Sequence, residues 1–173
     1  MKNISMITAM TQNKVIGVSC GLPWKIKAEL EYFKKHTLNK VLIMGGNTFA
    51  TLNYKPLANR QNIVLTKDPE KFKKFHLSKI YKNLMFAKTI QDSLDQAEQL
   101  CATSLVFPEI MVIGGAQIYK QFLPITNKLY ISIIKGSYTG DIYFPEIDVN
   151  NWQLNSNLDY EEFTAKIFLS KNT

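Results

Sequence analysis

Two apolar runs that end in paired glycines decide the fold of this sequence: MVIGGAQ at Met111–Gln117 and LIMGGNT at Leu42–Thr48. Each begins as a continuous apolar segment, which is typical of a strand buried on both faces of a sheet. A helical segment follows the glycines in each case. Such a strand, turn and helix can present backbone N–H groups to an anion such as a dinucleotide pyrophosphate. Glycine can equally serve only to make a tight turn, and neither run is a Walker P-loop or a Gly-x-Gly-x-x-Gly fingerprint.

Outward from these runs, short apolar segments alternate with amphipathic ones. Strands are predicted at 6–10, 41–44, 62–65, 110–113, 128–134 and 163–169, and helices at 26–36, 48–52, 89–100 and 116–122. Thr89 is the predicted N-cap of the third helix, with Asp92 as its capping-box partner. The alternation predicts an α/β sandwich with a mainly parallel sheet, whose final strands are antiparallel because no helix separates them.

Length and composition set the class of protein. The chain has 173 residues, 46% of them hydrophobic and 20% charged, which predicts one globular domain spanning 1–173. No apolar run approaches the roughly 20 residues that span a bilayer, and the N-terminus lacks a signal peptide, so a cytoplasmic protein without membrane contact is expected. Two cysteines, Cys20 and Cys101, and two histidines, His36 and His76, match no metal-ligand spacing. We therefore expect free thiols and no metal site.

The net charge of +7 favours anionic partners, such as nucleic acid, phosphate-bearing cofactors or acidic small molecules. Most lysines are scattered, as on a solvated surface, and no aromatic-basic stripe indicates an RNA platform. Twenty of the twenty-one basic residues are lysine, and Arg60 is the one arginine. Its planar guanidinium suits bidentate pairing with a carboxylate, although a single residue can also be present by chance.

Glu29 lies within the apolar stripe of the first predicted helix. Ile26 precedes it by one turn and Phe33 follows it by one turn. A carboxyl group in an apolar site has a raised pKa and suits the binding and protonation of a nitrogen heterocycle. The alternative is a glutamate at the edge of the stripe whose carboxylate reaches water.

In this order, these features resemble the dihydrofolate reductase family over nearly the whole chain. The matching segments are Ile7–Ala9, Val15–Gly17, Leu22–Trp24, Glu29 with Phe33, Thr37–Lys40, Ile43–Gly45 with Thr48–Phe49, Pro56–Leu57 with Arg60–Asn62, Pro108–Gly115, Tyr119 with Gln121–Pro124, Lys128–Tyr130, and Gly140–Asp141 with Phe144–Pro145. The resemblance implies a three-layer sandwich with a central, mainly parallel eight-stranded sheet, an antiparallel C-terminal strand and about four flanking helices.

The resemblance also implies an activity: NADPH-dependent reduction of 7,8-dihydrofolate to 5,6,7,8-tetrahydrofolate, with hydride going to C6 and a proton to N5. This reaction supplies one-carbon metabolism for thymidylate, purine and amino-acid synthesis. The implied partners are dihydrofolate and antifolate-type inhibitors, with no requirement for nucleic acid, and the implied oligomeric state is a monomer.

Residue roles follow from the same resemblance. Glu29 is the acid of the pteridine pocket and Ser132 its hydrogen-bonding neighbour. Trp24 positions a water beside the acid, and Leu22 ends the mobile loop Val15–Leu22 that closes over the nicotinamide. Arg60 pairs with the glutamyl α-carboxylate of the substrate. The implied apolar walls of the substrate pocket are Ile7, Leu30, Phe33, Leu52, Leu57 and Ile113.

For the cofactor, the resemblance implies contacts to the nicotinamide near Ala9 and Ile16, and to the phosphates near Thr48 and Ala116–Tyr119. Gly114–Gly115 is implied to be a cis peptide close to the point of hydride transfer. The full set of implied cofactor contacts is Ala9, Val15, Ile16, Gly17, Gly21, Gly45, Asn47, Thr48, Thr66, Lys67, Lys88, Gly114, Gly115, Ala116, Gln117, Ile118 and Tyr119.

Three features depart from the family pattern. Gly46 stands where an arginine commonly contacts the 2′-phosphate of NADPH; we hypothesise that Lys67 supplies the charge instead, with Lys88 as a further candidate. The stretch Asn53–Lys55 is one residue longer than the short bacterial pattern. Residues 68–86 match poorly and predict a surface loop or helix without a catalytic role.

Two other functions are weighed against this one. A reductase of the riboflavin pathway would share the fold and the cofactor but act on a ribosylated pyrimidine, and Glu29 with Arg60 argues for folate instead. A basic nucleic-acid-binding module would bind in a strongly salt-dependent way and would leave the glycine turns and Glu29 unexplained.

Overall fold

The computed structural model describes residues 3–19, 21–73, 81–103 and 108–171. The predictions made for Cys20 and His76 lie outside the described residues. Cys101 lies in a helix, is partly exposed and forms no disulfide. Within the described part of the chain, no helix combines the length and the apolar character needed to cross a membrane.

Ten strands are described. They are β1 (Ile4–Thr11), β2 (Val15–Gly17), β3 (Val41–Gly45), β4 (Gln61–Leu65), β5 (Leu84–Ala87), β6 (Ile110–Val112), β7 (Lys128–Ile134), β8 (Ile142–Tyr143), β9 (Trp152–Asp159) and β10 (Phe163–Ser170). Eight of them form one sheet in the order β5-β4-β3-β6-β1-β7-β10-β9, and β2 pairs with β8 in a separate two-stranded sheet. The six strands from β5 to β7 in this order are mutually parallel. Strand β10 is antiparallel to both of its neighbours, β7 and β9.

Five α-helices are described rather than the four or so predicted. They are α1 (Lys27–Thr37), α2 (Gly46–Thr51), α3 (Glu70–Lys73), α4 (Ile90–Thr103) and α5 (Ala116–Phe122). The additional helix is α3, a single turn within the stretch 68–86. That stretch also contains the start of the partly buried strand β5, which the sequence pattern did not predict. The predicted fold class, a mainly parallel eight-stranded sheet between helical layers, is confirmed.

The three layers follow from the alternation of side chains along the central strands. On β3, Val41 and Ile43 pack into one apolar cluster, and Leu42 and Met44 pack into another on the opposite face of the sheet. The first cluster contains residues of α4 and α5, and the second contains residues of α2 and the edge of α1. Because both faces are covered, β3 reads as a continuous apolar run rather than as an alternating one.

The N-terminus of α4 is capped in nearly the predicted way. The amide of Asp92 donates to Thr89 Oγ1 at 3.0 Å, which confirms Thr89 as the capping residue. The carboxylate of Asp92 accepts from the amide of Lys88 at 3.0 Å, one residue earlier than a standard capping box requires. The short strand β5 therefore leads directly into a capped helix.

Topology places the carboxyl ends of the six parallel strands along one edge of the sheet. The chain builds outward from β1 through β3, β4 and β5, and then returns to insert β6 between β3 and β1. A crevice forms at such a reversal of strand order, and ligands bind there in open α/β sheets. Both glycine turns lie beside β6 and β3, at this reversal.

Candidate active site

Glu29 is buried in the first turns of α1, with only 4% of its surface exposed. Burial raises the pKa of its carboxyl group, and a hydrogen-bonding influence from Ser132 lowers that pKa in part. Ser132 lies on β7, opposite Ala9 of β1, so the acid stands over the carboxyl halves of these two strands. The prediction of an acid within an apolar face therefore holds, and the alternative of a carboxylate that reaches water is wrong.

Two buried polar atoms of residues predicted to belong to the site lack well-formed hydrogen bonds among the described residues. They are Nε1 of Trp24, a donor, and Oγ of Ser132, for which no well-formed hydrogen bond is present. Trp24 is held in place by an edge-to-face contact with Tyr138, whose ring centroid lies 5.5 Å away. Buried polar groups in native proteins are nearly always satisfied, so such atoms indicate a place for a ligand or an ordered water.

The predicted apolar walls of the substrate pocket come together in one cluster, with one exception. Residues from β1, α1, α2, the following loop and the end of β6 take part: Ile7, Phe33, Leu52, Leu57 and Ile113. Leu30 is not part of this cluster, because its position on α1 leaves 55% of its surface exposed. Leu22 is likewise 47% exposed. Neither leucine is packed into this cluster.

Arg60 is oriented by contacts that the sequence pattern did not reveal. Its Nε donates to the carbonyl of Ala58 at 2.8 Å, and a terminal nitrogen donates to Thr37 Oγ1, at the end of α1, at 3.0 Å. Asn62 is almost fully buried and holds the loop from Leu57 to Arg60 through side-chain hydrogen bonds to both. Arg60, 7% exposed as a residue, is therefore fixed just before β4, at the amino end of the parallel strands, whereas the glycine turns lie at their carboxyl ends. A polar residue in the last turn of an apolar helix face, such as Thr37, is the signal that could have identified its partner.

The two glycine turns adjoin in space. The amide of Gly45 donates to the carbonyl of Gly114 at 2.8 Å, and Gly114–Gly115 is a cis peptide, as the resemblance implied. A Cβ on Gly45 would lie 2.9 Å from Ile118, and one on Gly115 would lie 3.3 Å from Thr48 Oγ1. Glycine is thus required where the two turns meet, because neighbouring side chains approach the backbone closely. This arrangement fits the pyrophosphate of a dinucleotide, with the Thr48 hydroxyl beside it.

The side chain of Tyr119 is not positioned to bind a phosphate. Its hydroxyl donates to the carbonyl of Ile7 on β1 at 2.7 Å, and burial raises its pKa. The side chain therefore points into the core beneath Gly114, so that any contact of Tyr119 with a cofactor would come from its backbone. The implied role of Ala116–Tyr119 in phosphate binding stays a prediction.

The segment implied to cover a nicotinamide starts as an ordered strand. Val15 and Gly17 of β2 pair with Tyr143 and Ile142 of β8, and Val18 and Gly21 form an isolated antiparallel bridge beyond them. Val15 and Ile16 are buried. Since β2 follows β1 after a tight turn, these residues lie beyond the end of the strand that carries Ala9. The mobility of Val15–Leu22 stays a prediction.

Thr66, Lys67 and Lys88 lie at the far end of the same sheet edge. Thr66 and Lys67 follow β4, and Lys88 follows β5, and the two strand ends are joined by a hydrogen bond from Thr66 N to the carbonyl of Ala87. Asn47 is exposed in the first turn of α2. Among the described residues, no group of three or more histidine, cysteine, aspartate or glutamate side chains could hold a metal ion.

Comparison with known proteins identifies the family. A family model described as dihydrofolate reductase matches residues 3–168. A dihydrofolate reductase of Buchnera aphidicola subsp. Baizongia pistaciae is 40% identical over 152 residues, which cover 88% of this chain and 83% of that protein. A dihydrofolate reductase of Bacillus subtilis is 37% identical over 151 residues, which cover 87% of this chain and 80% of that protein.

A solved structure shows the same architecture. It is a dihydrofolate reductase from Enterococcus faecalis complexed with NADP(H) and RAB-propyl, and it is 26% identical to this chain with a TM-score of 0.80. The match covers 98% of this chain and 96% of the other. The buried acid, the fixed arginine and the adjoining glycine turns thus occur in a chain whose sequence and architecture agree on one assignment. The chain belongs to the dihydrofolate reductase family.

Proposed function

We propose that Glu29 is the acid of the reaction of this family, the NADPH-dependent reduction of 7,8-dihydrofolate to 5,6,7,8-tetrahydrofolate. The observation that carries the proposal is the buried carboxyl group of Glu29, a residue 4% exposed in the first turns of α1 and under the hydrogen-bonding influence of Ser132 on β7. Its two oxygens accept hydrogen bonds from the 2-amino group and N3 of the pteridine. Because burial raises the pKa of Glu29, the group holds a proton to higher pH than an exposed glutamate does.

Proton delivery to N5 uses the donors around the acid. Trp24 Nε1 holds a water beside Glu29, and this water relays the proton toward the ring. Ser132 completes the hydrogen bonding of the carboxyl group. The apolar walls of the cleft exclude other water, which strengthens each of these interactions.

NADPH, when bound, supplies the hydride. Gly114, Gly115 and Ala116 would hold its pyrophosphate, and Thr48 would donate a hydroxyl from the facing turn. Ala9 and Ile16 would hold the nicotinamide end of the cofactor near the pteridine site at β1. The enzyme thus contributes alignment of the two reacting rings and exclusion of water.

Arg60 binds the α-carboxylate of the substrate's glutamyl tail. Ala58 accepts from Nε of the guanidinium and Thr37 accepts from one terminal nitrogen, and this orients the remaining terminal N–H groups for a carboxylate. The substrate therefore lies along the cleft, with its pteridine at Glu29 and its carboxylate at Arg60. We also propose that residues 1–173 form a single domain that acts as a monomer in the cytoplasm and binds antifolate-type inhibitors in this cleft.

The test has two parts. Oxidation of NADPH is followed by absorbance with dihydrofolate present, and methotrexate is titrated into wild type and Glu29→Ala. We expect oxidation that depends on dihydrofolate, and tight stoichiometric inhibitor binding that is lost in the variant. Glu31→Ala is the matched control, because Glu31 is exposed on the same helix and pairs only loosely with Lys27, at 3.9 Å. Absence of oxidation, or equal inhibitor binding by all three proteins, would refute the proposal.

A further inference from the structure

The order of the strands fixes which end of a dinucleotide lies where, given the proposed function. The pteridine site stands over β1 and β7, and the bare glycine turns follow β6 and β3. A dinucleotide whose nicotinamide reaches the pteridine, and whose pyrophosphate crosses the glycine turns, must extend its adenosine half away from β1. The next strands in that direction are β4 and then β5. The ribose that carries the 2′-phosphate of NADPH therefore lies near the carboxyl ends of β3 and β4.

Three side chains converge at this place, over Gly46. A Cβ built on Gly46 would have as its three nearest atoms Phe72 Cζ at 3.4 Å, Lys71 Nζ at 3.6 Å and Thr66 Oγ1 at 3.7 Å. An ammonium group and a hydroxyl group thus occupy the region into which a longer residue at position 46 would project. Both are donors to an anion, and both lie within ordinary contact distance of the point where a side chain at position 46 would begin.

Local packing places the Lys71 ammonium there. The amide of Lys71 donates to Asp68 Oδ1 at 3.3 Å, and the amide of Asp68 donates to Thr66 Oγ1 at 3.3 Å, which fixes the turn from β4 into α3. Phe72 is 3% exposed and stacks on Phe86 with ring centroids 5.2 Å apart. Lys71 Nζ lies 4.9 Å from the centroid of the Phe72 ring, so its side chain folds back toward β4.

We propose that Lys71, together with Thr66 beside Gly46, binds the 2′-phosphate of NADPH and thereby sets the preference for the phosphorylated cofactor. Thr66 donates its hydroxyl to the same phosphate. Lys67, which the sequence alone favours, lies on the exposed turn after β4, and its Nζ is not among the three atoms nearest to the position above Gly46. The inference rests on the proposed use of NADPH but assigns a residue that the sequence comparison with the family had left without a role.

The test measures equilibrium binding rather than turnover. Dissociation constants for NADP⁺ and NAD⁺ are determined by calorimetry for wild type, Lys71→Ala and Lys67→Ala. The two variants lose the same charge within a few residues of each other, so Lys67→Ala controls for the general electrostatic attraction. We expect Lys71→Ala to bind NADP⁺ at least about tenfold more weakly, as for loss of one charge-assisted hydrogen bond, with NAD⁺ binding unchanged.

A second set of variants restores the positive charge from position 46. In the Lys71→Ala background, Gly46→Arg fills the vacated space and is expected to recover most of the preference for NADP⁺. In the wild-type background, the side chain introduced by Gly46→Arg lies next to the Lys71 ammonium. We therefore expect a smaller increase in the preference for NADP⁺. Methotrexate binding is measured for every variant, because an unchanged value shows that the folate half of the site is intact.

An unchanged ratio of NADP⁺ to NAD⁺ affinity in Lys71→Ala would overturn the inference, and so would a loss confined to Lys67→Ala. Either result would leave the assignment of the folate site standing. Conversely, wild type that fails to oxidise NADPH with dihydrofolate would refute the proposed function whatever the variants bind.

Discussion

At the scale of single residues, ionisation of the buried Glu29 carboxyl group lowers the stability of the folded protein. Burial raises the pKa of Glu29 above its ordinary value of 4.5. The unfolded chain therefore loses this proton at a lower pH than the folded protein does. Stability contributed by the protonated group is complete below pH 4.5 and is lost as pH rises through the higher native pKa.

Replacement of Glu29 by glutamine removes this ionisation at nearly constant shape. We expect Glu29→Gln to have a larger free energy of unfolding than wild type near pH 8, with the difference vanishing near pH 4. Turnover falls about a hundredfold or more, because the acid is gone. Urea unfolding at a series of pH values, together with NADPH oxidation rates, measures both effects. A stability difference that is constant with pH would contradict the raised native pKa.

Arg60 tests the importance of shape at constant charge. The Arg60→Lys variant keeps the positive charge but loses the fork that Thr37 and Ala58 orient. We expect a ligand with a glutamyl tail to bind at least about tenfold more weakly, as for loss of a charge-assisted pair. A diaminopyrimidine inhibitor, which has no such tail, is expected to bind as it does to wild type. Equal weakening of both ligands in competition binding would indicate a general distortion of the cleft instead.

At the scale of elements, strand β2 packs closely against the backbone of Gly140. A Cβ on Gly140 would overlap the side chain of Val15 and lie 2.5 Å from the carbonyl oxygen of Gly17. The loop that ends at Gly140 leads directly into β8, which pairs with β2. The position of the segment proposed to line the nicotinamide therefore depends on a glycine more than one hundred residues away in the chain.

An added methyl group at this contact must move β2 or β8. We expect Gly140→Ala to lower stability by about 1–3 kcal/mol, the usual cost of overpacking, and to weaken NADP⁺ binding. Thr139→Ala is the matched control, since Thr139 is exposed and adjacent. Thermal unfolding and calorimetric binding provide the measurements. If both variants behave like wild type, β2 and β8 are more compliant than their close packing indicates.

Elements with a buried face were the ones that the sequence predicted well. The predicted helix at 26–36 differs from α1 by one residue at each end, and β7 has the predicted bounds. By contrast, β9 was missed because its side chains are mostly exposed and show no apolar alternation. Its place in the sheet is given by backbone pairing with β10, and backbone pairing has no signature in side-chain polarity.

At the scale of the whole molecule, a second titrating group, His36, makes stability depend on pH in the opposite direction to Glu29. His36 lies between the rings of Tyr32 and Tyr130, with centroid distances of 4.3 Å and 4.9 Å. Burial lowers its pKa below the ordinary value of 6.5, and the nearby charges of Lys35, Lys40 and Lys128 lower it further. Its contribution to stability is therefore complete above pH 6.5 and is lost as pH falls toward the native pKa.

A phenylalanine at position 36 keeps the ring stacking and removes the titration. We expect the free energy of unfolding of wild type to fall faster than that of His36→Phe as pH decreases below 6.5. Subtraction of the two urea-unfolding series isolates the histidine, because Glu29 contributes equally to both. Parallel curves from neutral pH down to about pH 5 would contradict a lowered pKa in the folded protein.

The sequence by itself determined the parts that depend on local pattern. It determined the two glycine-terminated strands, the helix that carries Glu29 on its apolar face, and the strand that follows Arg60. These signals are local because side-chain polarity along a helix or strand records which face is buried. The sequence likewise showed that Gly46 cannot provide a positive charge.

Tertiary structure alone decided which distant groups meet. The hydrogen bond between Gly45 and Gly114, the support of Arg60 by Thr37, and the approach of Lys71 to Gly46 each join groups brought together by folding. The first of these depends on the insertion of β6 beside β3, and the last on the turn from β4 into α3. The order of strands and the reach of a flexible side chain are settled by packing over the whole sheet, so no local periodicity encodes them.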